Sequence, residues 1–470
     1  MFVCLLILKR ADSAGEKEGN AVRKTFRGGV HPAGHKELSR EAALRAFQPK
    51  GEMVYPLSQH IGKPAKAVVK KGDAVLVGQR LAEADGFVSA HVYASCSGTV
   101  KAVEKRRTLT GAWSDCVVVD NDGQFTPMEG FGQREDVYGI TPQTILDRVA
   151  AAGIVGLGGA GFPTHVKLAP KNPMGIRYVI ANGAECEPYL TCNDQLMRSK
   201  ADEIVEGLEL MLRLFPRAEA VIAVEDNKPE AIEALRKASA GRQRFSVRAL
   251  KAKYPQGGEK SLIKVIAGID YPASMLPADV GCIVENVGTI YAIQRAVCCR
   301  EPLFTHVFTL TGDAVKNPGN YIVPDGASFA ELLEYAGGLK DGVTLKKALC
   351  GGPMMGIAMP SLDVPIQKQN NGLTLLAEDE AEAAEAQMTA CLHCGRCTTV
   401  CPLGLMPQLM ADAFIAGDYE RFEKKLYGLE CMQCGSCTYY CPAKRPLMQQ
   451  FKQAKVEILQ RKRAEAGGKK

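Results

Sequence analysis

The sequence predicts a multidomain chain of mixed α/β and α+β architecture, ending in an α-helical module that carries paired cysteine motifs. Three observations carry that class. Two copies of C-x2-C-x2-C-x3-C-P stand near the C-terminus, CLHCGRCTTVCP from Cys391 and CMQCGSCTYYCP from Cys431. Apolar runs alternate with helical stretches over residues 140–300. Short β stretches broken by glycine fill residues 50–105. A chain of 470 residues exceeds what one core supports, so several domains are expected.

Residues 1–25 read as a flexible tail. MFVCLLILKR carries its short apolar run before Lys9 and Arg10, the reverse of a signal peptide. No stretch approaches the ~20 apolar residues that span a bilayer, so any membrane association is expected to run through partners. Residues 26–130 form the N-terminal domain. Its V-K-K-G-D, G-Q and S-G-T-V-K elements resemble a lipoyl/biotinyl-type barrel-sandwich module. Such carriers need a lysine at the hairpin tip. Aligned on Ser97-Gly98 that position is Phe87, so the expectation is a scaffold.

Residues 131–302 form the α/β domain. Helices over Ile145–Ala152 and Ala201–Phe215 alternate with the strand-like runs RYVIANGAE and EAVIAVED. GIVGLGGAGFPTHVKL (153–168) packs five glycines into nine residues (Gly153, Gly156, Gly158, Gly159, Gly161). Glycine permits positive φ and close backbone approach to a ligand. Thr164 is placed to cap a following helix, and helix-start amides favour phosphate. No clear strand precedes the G-x-G-x-x-G spacing of Gly156, Gly158 and Gly161, so the ordinary dinucleotide fingerprint is not met. Taken alone, the loop is either a phosphate or cofactor cradle or a plain tight turn.

Residues 303–365 contain HVFTLTGDAVKNPGNYIVPDGASFAELLEYAGGL, short strands punctuated by glycine and followed by one helix. They resemble a soluble-ligand-binding β-grasp (SLBB-like) module. Residues 366–388, rich in Asn, Gln, Ala and Glu, read as a linker.

Residues 389–455 hold the cluster motifs. Three cysteines of each motif wrap one face of a [4Fe–4S] cube, and the cysteine before proline ligates the other cube. One cluster then takes Cys391, Cys394, Cys397 and Cys441. The other takes Cys431, Cys434, Cys437 and Cys401. Zinc sites use two separated cysteine pairs instead. Between the motifs, Leu409, Met410, Phe414, Phe422 and Leu426 recur at helical spacing. Residues 456–470 read as a solvated basic tail, with contact to an acidic partner or lipid headgroups as the sharper reading.

Composition sets outer bounds. Hydrophobic content of 46% and charge of 23% are ordinary for globular domains, and a net charge of +6 does not imply nucleic acid. Eight of the 17 cysteines lie in the motifs. Exposed cubes need a reducing compartment, which points to a cytosol-facing protein. The remaining cysteines, Cys186, Cys192, Cys298 and Cys299 among them, read as buried thiols.

GLGGAGFPTHVKL is similar to the glycine-rich loop of the NADH-oxidising flavoprotein of respiratory complex I. VIANGAECEPYLTCND (179–194), YPQGGEKSL (254–262) and VENVGTI (284–290) resemble three further segments of that family, in the same order. The resemblance implies a Rossmann-like domain binding FMN and NAD(H). It assigns Gly156, Gly158 and Gly159 to the FMN phosphate and ring, Phe162 to stacking on nicotinamide or adenine, and Lys167 to a phosphate or the flavin. Asn182, Glu185 and Glu187 are placed near the isoalloxazine ring and nicotinamide. Gly258, Glu259 and Asn286 complete the pocket. The alternative for Glu185 and Glu187 is plain surface carboxylates. Leu157, Ala184, Lys260, Glu285 and Gly288 depart from the family's Arg, Asp, Glu, Asn and Glu, so a rearranged pocket is expected.

The order of modules over residues 25–455, with GGVHP at Gly28–Pro32 and ALCGGPMMG at 348–356, resembles the C-subunit of the Rnf electron transport complex, the ion-translocating ferredoxin:NAD oxidoreductase. This implies a peripheral protein on the cytoplasmic face of the inner membrane. It would dock to integral membrane subunits and to the iron–sulfur B-subunit, and pass electrons between NAD(H), FMN and two [4Fe–4S] clusters, reaching ferredoxin indirectly. No residue need act as acid or base for hydride transfer. Two other readings stand beside it. One is an electron-relay protein without a working flavin site, suggested by Leu157 and Ala184. The other is a cobalamin reductase of microcompartments, whose modules run in the opposite order.

Overall fold

The computed structural model describes residues 24–467, so most of the 1–25 segment lies outside the described residues. The first module is β-rich. Met53–Pro56, Trp113–Asn121, Gly98–Arg107 and Ala74–Val75 pair in that order as an antiparallel sheet. Lys66–Ala67, Arg80–Glu83 and Val92–Tyr93 form a second sheet. Val75, Leu81, Val92, Val100 and Val117 close the space between them. Phe87, between Arg80–Glu83 and Val92–Tyr93, is 72% exposed.

The α/β domain is a four-stranded parallel sheet in the order Phe245–Leu250, Glu219–Glu225, Tyr178–Gly183, Cys282–Asn286. Val221, Ile222, Val179 and Ile180 are fully buried, as strands covered on both faces require. Helices Ala201–Leu214 and Val287–Cys299 pack on one side. Glu259–Ala267 packs on the other through Leu262, Ile263 and Ile266. Because the strands are parallel, their carboxyl ends share one edge, where open α/β sheets place ligands. Three of the four sequence matches run through or follow these strand ends, at Gly183, Leu250 and Asn286.

The β-grasp sheet runs Arg45–Ala46, Gly319–Pro324, Thr305–Thr311, Gly372–Leu376, Lys347–Cys350, Ile357–Ala358. This corrects the linker reading of 366–388. Gly372–Leu376 is a buried interior strand, parallel to Thr305–Thr311 and antiparallel to Lys347–Cys350. Its apolar GLTLL run outweighs the polar composition around it. The helix Glu380–Ala386 follows, capped by Asp379, which accepts from the Ala381 and Glu382 amides. The β-grasp and barrel-sandwich modules share one core, with Phe308, Tyr321 and Phe329 clustered with Met53 and Tyr55.

The last module is helical, as the spacing predicts. Pro407–Ile415 and Leu447–Gly467 bury Met410, Ala413, Leu447 and Phe451 against Phe422. The basic-tail reading of 456–470 needs a second correction. The final helix continues through 456–467, and Ile458 is only 3% exposed within that core. Among the described residues no helix is long and apolar enough to cross a membrane.

Candidate functional site

The two cysteine motifs fold as paired loops. Gly395 and Gly435, both at positive φ, each precede a short helix, Arg396–Thr399 and Ser436–Tyr439. Cys391, Cys394, Cys397 and Cys441 line one cavity, and Cys401, Cys431, Cys434 and Cys437 line another. The cysteines thus gather in two sets, each drawing one member from the other motif. Backbone amides already point at the sulfurs. His393 donates to Cys391 Sγ at 3.4 Å, Gln433 to Cys431 Sγ at 3.4 Å, and Leu405 to Cys401 Sγ at 3.3 Å. Such N–H···S bonds stabilise negative charge on thiolates and on a cluster they hold. The donor set fits [4Fe–4S] cubes.

A larger cavity of about 860 Å³ opens at the carboxyl edge of the parallel sheet, within the size range of cofactor sites. Eight of the expected residues line it: Gly158, Gly159, Asn182, Glu185, Glu187, Gly258, Glu259 and Asn286. Three do not. The Gly156 amide donates to the Phe162 carbonyl at 2.9 Å, which closes the loop on itself, and Phe162 lies outside the lining. Lys167 is occupied by the Val284 carbonyl and by Glu259 and Glu285, each carboxylate 3.6 Å away. Burial opposes its charge, but those two carboxylates outweigh it and raise its pKa.

The glycine loop is held from outside. Thr289 Oγ1 accepts from the Leu157 amide at 3.0 Å, and the Ile61 amide donates to Gly161 O at 3.2 Å. Gly158 and Gly161 take positive φ. A Cβ on Gly159 would meet open space, so its backbone faces the cavity without cover. The capping role expected for Thr164 does not form. Pro163 occupies the N-cap position of the four-residue helix Thr164–Lys167, and the Thr164 hydroxyl is buried without a partner. The helix start expected to favour phosphate is therefore not capped by Thr164.

Glu185 and Glu187 are not surface carboxylates. Glu185 is buried at φ 49° and accepts from the Asn193 amide at 2.6 Å and the Asp194 amide at 3.2 Å, capping helix Cys192–Ser199. Burial raises its pKa, opposed by Lys36 and Lys228. Glu187 accepts from the Met354 and Met355 amides at 2.6 and 3.2 Å. Burial pushes it up to about 7 against those bonds.

The positions that depart from the flavoprotein pattern have neighbours of their own. A Cβ on Gly288 would lie 3.3 Å from Leu157 Cδ1, so an apolar side chain packs over a glycine there. Lys260 pairs with Glu430 at 2.8 Å. Glu285 pairs with Lys167, and Ala184 is fully buried with its carbonyl taken by Lys228 at 2.7 Å.

Several further residues complete the site. Lys36 donates to the carbonyls of Glu185, Glu187 and Leu190, knitting the segment after the central strand. Buried Lys228 bridges Ala184 O and Glu225. Gly351 and Gly352, from ALCGGPMMG, line the cavity, and a Cβ on Gly352 would strike Glu187. Lys36 and Lys228 have no spacing in the sequence to mark them.

The cavity reaches the clusters. Cys431 and Met432 form part of its wall. Tyr254 donates its hydroxyl to Cys434 O at 2.7 Å, and Val30, Tyr254, Met354, Val400 and Cys434 pack as one apolar cluster. The GGVHP segment threads this junction. Gly29 N–H donates to Val400 O at 2.8 Å, and a Cβ on Gly28 would lie 2.6 Å from Cys401 O. The cysteines of the other set are farther out, and Cys394 is exposed.

Comparison with known proteins agrees with this architecture. Residues 24–124 match the RnfC barrel-sandwich hybrid domain, 149–295 the Nuo51 FMN-binding domain, 307–358 the SLBB domain and 384–442 a 4Fe–4S dicluster domain. The chain is 43% identical to the C-subunit of the Na+-translocating ferredoxin:NAD+ oxidoreductase complex of Acetobacterium woodii, over 94% of this chain and 99% of that one. It is 40% identical to the proton-translocating counterpart of Clostridium ljungdahlii, over 92% and 94%. It is also 40% identical to the C-subunit of the ion-translocating oxidoreductase complex of Rhodobacter capsulatus, over 93% and 84%. Four domains in this order and 40–43% identity over more than nine-tenths of the chain place it in the RnfC family, the C-subunits of ion-translocating ferredoxin:NAD+ oxidoreductase complexes.

Proposed function

We propose that this chain carries electrons between NAD(H) and two [4Fe–4S] clusters as a peripheral component of an ion-translocating complex. One observation carries the reading: a single cavity is lined both by the glycine loop and by Cys431. Bound FMN supplies the conversion between a two-electron hydride donor and one-electron clusters. The chain's own residues position and insulate. The amides around Gly158 and Gly159 face the anionic part of the ligand, and Asn182 and Asn286 line the wall beside it. Tyr254 and Met354 fill the space toward Cys434 and exclude water from it. The Cys401, Cys431, Cys434, Cys437 set would hold the one-electron carrier nearer the cavity, and the Cys391, Cys394, Cys397, Cys441 set would hold the second.

The outer set lies at a surface, with Cys394, Leu392 and Tyr439 exposed. That is where we place the approach of an iron–sulfur partner, the B-subunit of the complex, with ferredoxin beyond it. Integral membrane subunits hold the assembly at the cytoplasmic face. Anaerobic preparation, acid-labile sulfide analysis and flavin release, followed by NADH-driven bleaching of the cluster absorbance, test the reading. Protein that carries sulfide and flavin but does not bleach with NADH would contradict it.

A further inference from the structure

Cys431 stands between the cavity and the nearer cluster, and three charged side chains surround it. Lys455, on helix Leu447–Gly467, donates from Nζ to the Cys431 carbonyl at 2.6 Å. Glu430 Oε2 accepts from Lys260 Nζ at 2.8 Å and from the Ala273 amide at 2.6 Å. The Lys260 ammonium also lies 5.3 Å from the centre of the Tyr271 ring. Lys260, Glu430 and Lys455 all line the cavity. Neither cluster ligation nor hydride transfer uses any of them.

Adding an electron to a thiolate-ligated cube adds negative charge, so net charge around it sets the potential. A fixed cation nearby favours the reduced form and a fixed anion opposes it, most strongly where solvent screening is reduced. We propose that Lys455 and Glu430 are positioning residues that set the reduction potential of the Cys401, Cys431, Cys434, Cys437 cluster with opposite signs. Lys455 makes it a better electron acceptor, and Glu430 restrains it. The assignment rests on the reading of that cysteine set as the cluster beside the flavin cavity. The outer set provides an internal reference, because its cavity is lined by Arg445 instead.

The test is a redox titration of the full chain with both clusters loaded, each followed by its own electron paramagnetic signal. At the wild-type midpoint, Lys455→Met should lower the reduced-to-oxidised ratio of the nearer cluster on the order of tenfold. Glu430→Gln, which keeps an oxygen for Lys260 and Ala273, should raise it. Lys455→Arg should stay near wild type, and the outer cluster should not move. A strut that merely holds the Cys431 loop would give both neutralising variants the same sign, or no shift, and either result overturns the inference. If Lys455→Met fails to take up clusters, Glu430→Gln still decides whether charge at this wall sets the potential, since it must raise the ratio. Wild-type protein without any cluster signal would overturn this inference and the function it rests on together.

Discussion

Lys368 shows how a single buried charge holds the cofactor loop. It is 1% exposed, and its ammonium donates to His91 O at 2.7 Å and Gly153 O at 2.8 Å. It therefore ties the start of the glycine loop to the barrel-sandwich module. Burial lowers its pKa from 10.5 to about 8. The folded state thus releases this proton at lower pH than the unfolded chain does, so the contribution of this group to stability rises from about pH 8 to 10.5. Lys368→Met should remove that rise and cost about 1–3 kcal/mol by stranding two buried carbonyls, measured as melting temperature against pH. Gly352 makes a second case. Gly352→Ala forces a methyl against Glu187, so flavin retained after gel filtration should drop while cluster content holds.

Among the elements, the crossed cysteine sets make a direct prediction. Cys441 follows helix Ser436–Tyr439 but lines the cavity of Cys391, Cys394 and Cys397. Cys441→Ser should cost about half of the iron and abolish the signal of the surface-exposed cluster, not that of its own motif's neighbours. The final helix adds a packing prediction. Ile458→Ala should destabilise the cluster module by about 2–4 kcal/mol, read from chemical unfolding, because the position is in the core. Element by element, periodicity and spacing made the parallel sheet, the helical cluster module and the crossover legible. The linker and tail readings missed because composition spoke louder than pattern. GLTLL is a short apolar strand inside a polar stretch, and Ile458 is one buried residue on a basic helix. The lining of the cavity was legible through glycines and acids. Its cross-module supports were not, since Lys36, Lys228 and Tyr254 act from separate segments that only the fold brings together.

At the scale of the whole molecule, four modules serve one path. The N-terminal segment reaches across to Val400 and Cys401, the β-grasp loop clamps Glu187, and the cluster module closes the cavity wall with Cys431 and Met432. Removing the GGVHP segment or the cluster module should therefore damage the junction rather than free an intact flavin domain. The central claim is that electrons enter through the cluster beside the cavity. It is tested most directly by stopped-flow reduction with NADH of two variants, Cys441→Ser and Cys401→Ser, each retaining one cluster. The account predicts fast reduction of the remaining cluster in Cys441→Ser and slow or absent reduction in Cys401→Ser. Equally fast reduction of the outer cluster in Cys401→Ser would contradict it.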